Sequence, residues 1–161
     1  MQYAPTGGNS CNVEYTVIDD KERVKEIWKI AYSKMEELAK KHIYTHSFSD
    51  FYYKKMKESE KTVRKDDLLF CGSPHLFIAH EKCVGKWAED SKVNCNIAST
   101  YFELLANAFG LGTIIMSYPA EVLEELVAVA IDMLGIPKDH YMKLIVGFGY
   151  PEIKYARGVQ K

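Results

Sequence analysis

The sequence predicts a single domain of mixed α and β structure, either α+β or α/β. Three observations carry this reading. Short β-prone runs alternate with longer segments of helical periodicity. No internal repeat or low-complexity segment interrupts the alternation. The chain has 161 residues, close to the roughly 150 of one ordinary domain, and 47 % of them are apolar, enough for one sizeable core.

Taken in order, Ala4-Pro5-Thr6-Gly7-Gly8-Asn9 is a loop signal with no regular element before it. Val13 to Ile18 alternates β-formers and predicts a strand. Asp19 and Asp20 offer an N-cap to a long amphipathic helix, in which Val24, Ile27, Trp28, Ala31, Met35 and Leu38 recur at three- and four-residue intervals. Lys40 and Lys41 close it, where cations suit the negative helix end. Ser49 to Lys61 predicts a second, more polar helix carrying Phe51, Tyr52 and Met56, and the charged stretch Ser59 to Asp67 a solvated connection. Leu68 to Ser73 with Pro74 predicts a turn into a buried strand, His75 to His80. Cys83 to Lys92 reads as irregular and polar.

Ala98 to Phe109 predicts a strongly apolar helix stopped by Gly110-Leu111-Gly112. Thr113 to Met116 is a short β-prone run. Pro119 sits in the first turn of another helix, where its missing N–H costs nothing. Val122, Leu123, Leu126, Val127, Ala130, Ile131 and Leu134 form the apolar face of that helix, and Gly135 ends it. His140 to Gly147 predicts a last strand, followed by Gly149-Tyr150-Pro151-Glu152 and a basic tail.

Composition excludes several functions. Lys and Arg total 21 against 22 Asp and Glu, a formal charge of −1, so no basic excess exists to hold a nucleic-acid backbone. No apolar run approaches the roughly 18 residues of a membrane helix. Met1 to Asn9 lacks the charged head and apolar core of a secretory signal. Cys11, Cys71, Cys83 and Cys95 form no CxxC pair and read as reduced thiols of a cytoplasmic protein.

Motifs narrow the chemistry further. There is no GxxxxGK[ST] loop, no complete GxGxxG and no GxSxG elbow. His75 and His80 are five apart in a strand and point to opposite faces, and His42 and His46 lie at a helix end, so no metal site is expected. No constellation of acid, base or nucleophile stands out.

Three loop segments remain. Pro5-Thr6-Gly7-Gly8-Asn9 has a backbone that a flat ligand can approach, with hydroxyl and amide partners beside it. It also reads as a plain turn. Gly110 to Ser117 carries a helix into a short strand, which a glycine C-cap alone explains equally well. Gly147-Phe148-Gly149-Tyr150-Pro151-Glu152 delivers Lys154 and Arg157, able to fork onto phosphate, or simply a solvated tail.

In this order and spacing the segments resemble the nitroreductase family of flavin enzymes. The resemblance runs from Tyr3 to about Arg157. It rests on Ala4-Pro5-Thr6-Gly7-Gly8-Asn9-Ser10 ahead of a strand, on Leu104 to Thr113 as a helix ending in Gly-Leu-Gly-Thr, and on a strand running into Gly-Tyr-Pro-Glu with lysine and arginine behind it. The resemblance implies an α+β fold, a central mixed sheet flanked by helices, and an intertwined homodimer with two FMN molecules in its interface. Pro5, Thr6, Gly7 and Asn9 would then contact the ring or ribityl chain from one subunit. Gly112 to Ser117, with Met116 and Ser117 nearest, would lie against the other side. Arg157, helped by Lys154, would take the phosphate. NAD(P)H would be the electron donor, and a nitroaromatic or quinone a plausible small-molecule acceptor.

Two departures from the family pattern are visible. The helix and arginine-rich stretch that members carry ahead of the Ala-Pro motif are not among these residues, so 1–161 reads as one nitroreductase-like domain, N-terminally truncated relative to the family. Cys11-Asn12 stands where many members have Gln-Pro. The alternatives are a flavin-poor, non-catalytic dimeric relic of the fold, or specialised chemistry on the same scaffold such as flavin breakdown or reductive dehalogenation.

Overall fold

A computed structural model of the protein describes residues 4–46, 48–59, 67, 69–82, 85, 88–126 and 128–152. Its elements run β1 (Glu14–Ile18), α1 (Lys21–Lys40), α2 (Asp50–Ser59), β2 (His75–Lys82), α3 (Ala88–Ala108), β3 (Gly112–Met116), α4 (Tyr118–Leu126), α5 (Ala128–Leu134) and β4 (His140–Gly149). The strands form one sheet in the order β1-β2-β4-β3. All three ladders are antiparallel, so the mixed sheet implied by the resemblance is purely antiparallel among the described residues. The mixed α+β class is the predicted one.

The two faces of the sheet are covered differently. One face, with Ile18, Leu76, Ile78, Met142 and Ile145, joins Val24, Ile27, Ala31 and Met35 of α1 and Val122 and Leu123 of α4 in the main core. The stripe on α1 falls at the predicted intervals, and Asp20 caps the helix by accepting the Glu22 amide at 2.8 Å. The other face, with Phe77, Ala79 and Val146, packs on α3 through Cys95, Ala98 and Phe102. There Phe77 and Phe102 stack with ring centroids 3.9 Å apart and an interplanar angle of 1°, and Phe148 meets Phe102 edge-on.

Helix α3 corrects the sequence reading. It begins at Ala88, well inside the segment read as irregular and polar. The reason is that its buried stripe is small and polar: Ser91, Asn94, Cys95, Ala98, Ser99 and Ala106 face the sheet. Several of its large apolar side chains point outward instead, with Val93, Tyr101, Leu104 and Leu105 exposed, as is Phe109 just past its end. Leu104 is 65 % exposed and Phe109 76 %. A search for apolar periodicity sees the outer stripe and misses the inner one.

In β4 one residue is extra. Ile78 pairs with Ile145, whereas His80 pairs with Met142. The resulting bulge lets Ile145 and Met142, three residues apart, lie on the same face of the sheet.

Candidate cofactor site

The N-terminal loop is held in place by its own backbone and by α3. Residues Gly7–Asn9 make one 3-10 turn, closed by Asn9 N–H to Thr6 O at 3.0 Å and Ser10 N–H to Gly7 O at 3.2 Å. Gly8, Asn9 and Cys11 all have positive φ, near 55°, which glycine and asparagine accept readily and cysteine less so. The Thr6 hydroxyl accepts the Cys11 amide at 3.0 Å, leaving its own hydrogen to donate. Gly7 N–H donates to Asn94 Oδ1 at 2.8 Å. The other end of that side-chain amide, Nδ2, donates to Glu81 Oε2 at 3.0 Å, so a buried carboxylate orients the asparagine that orients the loop.

Pro5, Gly7 and Asn9 are exposed and Thr6 is half-buried. An open cavity of about 590 Å³ lies against this loop, lined by Gly7, Gly8, Ser10, Asn12, Glu81 and Asn94 among others. Asn94 and Glu81 were not singled out from sequence. For Asn94 the signal is a buried-stripe spacing on α3 whose residues are polar, and nothing in the sequence marks Glu81 on β2.

The second segment lies at the far side of the sheet. Helix α3 ends with Gly110 at φ +80° and Leu111 N–H returning to Ala106 O at 3.0 Å, the backbone pattern of a glycine-terminated helix. Asn107 Nδ2 donates to Thr113 Oγ1 at 2.9 Å and fixes the entry into β3. Gly112 is half-buried and Ser117 exposed. Met116 is only 7 % exposed and belongs to the main core, so what it can offer a ligand is its main chain.

Beside β3 an open cavity of about 670 Å³ is lined by Lys21, Ser73, Pro74, Gly112, Gly147 and Gly149 among others. The β4 glycines are needed here for space. A Cβ on Gly147 would lie 2.0 Å from Ser73 Oγ, and one on Gly149 2.7 Å from Pro74 Cγ. Lys21, also not singled out from sequence, is a described cation of this cavity. Lys154 and Arg157 lie outside the described residues.

The two segments do not meet within one chain. The loop enters β1 at Glu14, which pairs with His80 on one outer side of the sheet. Gly112 pairs with Gly149 on the other outer strand and at the opposite end of it. They occupy opposite edges of the sheet, with Gly112 at the end away from the loop and Met116, level with Ile145 and Ile78, nearer the loop's end.

This arrangement, a sheet with a glycine-bearing loop at one corner and a helix-to-strand glycine turn at the other, has a match at the level of sequence. The sequence profile described as the Nitroreductase family covers residues 1–150. The chain belongs to the nitroreductase family. No curated protein matches the sequence.

Solved structures agree on the fold. A nitroreductase with bound FMN from Bacteroides fragilis NCTC 9343 is similar with a TM-score of 0.72 at 16 % identity, over 99 % of this chain and 78 % of that one. A nitroreductase with bound FMN from Desulfitobacterium hafniense DCB-2 gives 0.69 at 19 %, over 98 % and 76 %. The FMN and NADPH-dependent nitroreductase NfnB from Sphigopyxis sp. strain HMH gives 0.60 at 16 %, over 94 % and 74 %. In this nitroreductase-family chain no described helix is long and apolar enough to cross a membrane.

Proposed function

We propose that the protein is an FMN-dependent oxidoreductase that carries reducing equivalents from NAD(P)H to a small acceptor such as a nitroaromatic or quinone, and that it works as a homodimer. One observation carries the reading beyond family membership. The loop at Pro5, Thr6, Gly7 and Asn9 and the segment from Gly112 to Ser117 lie on opposite edges of one sheet, so a pocket using both takes one from each of two chains. The exposed apolar side chains of α3, with Phe109 just past its end, supply a surface that a second copy would bury.

The residues fit the cofactor. Both cavities fall within the roughly 300–1,000 Å³ of small-molecule sites. A side chain at Gly8 would meet nothing within 4 Å, which leaves the loop open to a flat ring. FMN would supply the two-electron chemistry. This chain would do the rest: the Thr6 hydroxyl and Asn9 amide offer hydrogen bonds to the ring or ribityl chain, and the main chain of Gly112, Met116 and Ser117 lines its other side. Arg157 and Lys154 would neutralise the phosphate, the arginine as a bidentate fork. NADPH as donor is supported by NfnB, which is described as NADPH-dependent.

The test is the visible absorbance spectrum of the purified protein, taken before and after adding FMN and then NADH or NADPH. The expected result is a bound flavin spectrum that bleaches with the reduced nucleotide and recovers with an acceptor. A colourless protein that takes up no FMN would overturn the reading.

A further inference from the structure

The bulge in β4 brings together three side chains that sequence spacing keeps apart. Without it, Lys143 would oppose His80; with it, Met142 does, and His140 follows Met142 onto the main-core face of the sheet. There His140 Nδ1 lies 2.9 Å from His80 Nδ1. Glu14 is the direct cross-strand partner of His80 on β1. One carboxylate oxygen of Glu14 and one ring nitrogen of each histidine all lie within 4.8 Å of one another.

We propose that Glu14, His80 and His140 form a binding site for one divalent cation of the zinc class. Two imidazoles and a carboxylate are the donors that such borderline cations prefer, and three protein ligands leave a position for water. Zinc–nitrogen bonds at tetrahedral angles set the two nitrogens about 3.3 Å apart, so the rings need to separate by only a few tenths of an ångström.

The ring of His80 is already oriented for this. Its Nε2 sits 3.0 Å from Thr16 Oγ1. A cation on Nδ1 leaves Nε2–H to donate to that hydroxyl, the outer contact that fixes a histidine ligand. His80 is 3 % exposed, whereas Glu14 is exposed and His140 half-buried, so an ion can enter from the Glu14 side. A hydrogen bond between the two rings accounts for their contact, and the cross-strand carboxylate within reach of both adds the third donor that a cation takes.

The site is separate from the loop held by Asn94. Glu81 and Asn94 lie on the α3 face, and His80 on the other. Because β1, β2 and β4 give one ligand each, a bound ion ties the outer strand that follows the N-terminal loop to the centre of the sheet.

The test is zinc titration of the full chain without flavin, by calorimetry and by the imidazole resonances in NMR spectra, with His140→Ala and Glu14→Gln beside it. Both variants change side chains outside the buried core, and their metal-free melting temperatures check that the fold is kept. The expected result is one zinc per chain, shifts of the His80 and His140 resonances, and affinity at least about tenfold weaker in each variant. No uptake at about millimolar zinc, or uptake that either variant leaves unchanged, overturns the proposal.

Discussion

Gly7 N–H and Glu81 Oε2, 74 positions apart in sequence, are joined through a single side chain: the Asn94 amide accepts from the first at 2.8 Å and donates to the second at 3.0 Å. The loop at the candidate cofactor site is therefore tied to a buried carboxylate through α3. Replacing Asn94 with alanine removes a donor from that carboxylate and is expected to cost about 1–3 kcal/mol. Asn94→Asp keeps the acceptor for Gly7 but sets a second carboxylate against Glu81, so its loss of stability is larger at neutral pH than in mild acid. Chemical denaturation of the two variants at both pH values checks this.

The glycines of the β3–β4 region separate into two kinds. Gly147→Ala drives a methyl group into Ser73, and is expected to destabilise by about 1–3 kcal/mol or more. Gly112→Ala meets nothing closer than Pro151 Cβ at 3.5 Å and is expected to change stability by less than about 1 kcal/mol. Thermal melts of the pair distinguish a packing requirement from a general dislike of substitution.

Cysteine chemistry should divide along burial. Cys11 and Cys71 are exposed and Cys95 is buried. Burial, and then the nearby Glu81 carboxylate, push the Cys95 thiol from 9.0 up to about 12. Peptide mapping after brief alkylation at pH 8 is expected to find label on Cys11 and Cys71 and none on Cys95. The same shift fixes a sign. Above about pH 9 the unfolded chain releases this proton and the folded chain keeps it, so stability falls as pH rises from 9 toward 12.

Arg157→Ala is expected to weaken FMN binding at least about tenfold, or about 1.4 kcal/mol, measured by flavin fluorescence. Unchanged affinity would remove Arg157 from the site. Lys154→Ala is expected to have the smaller effect, because an ammonium is a point charge and lacks the guanidinium fork.

Association should depend on the outer stripe of α3. Leu104→Glu and Phe109→Glu each place a charge on a large exposed apolar position and are expected to shift the protein toward monomer in light scattering. A dimer unaffected by both changes would move the interface elsewhere.

Much of this fold was legible in the sequence, for reasons that can be named. Helix α1 announces itself because its buried positions Val24, Ile27, Ala31 and Met35 are apolar and evenly spaced, and Asp20 is a good cap. The loop at Pro5 to Asn9 was legible through its glycines. What stayed hidden depended on tertiary context. The start of α3 is masked because Ser91 and Asn94, not aliphatic residues, face the sheet. Asn94 and Glu81 matter only through each other, and nothing in their spacing marks the pair. His80 and His140 are 60 positions apart, and a pattern of strict alternation turns them away from each other.

That last point reaches past the histidines. The bulge between Ile145 and Met142 acts as a parity switch in β4: upstream of it the odd and even positions trade sides. Deleting Lys143 or Leu144 would restore strict alternation and leave Met142 and His140 on their present side, because Met142 would then stand two positions from Ile145. Flattening the strand at its present length is what would exchange them, sending a core methionine toward the α3 face. A homologue shorter by that single residue would keep both cores with no bulge at all.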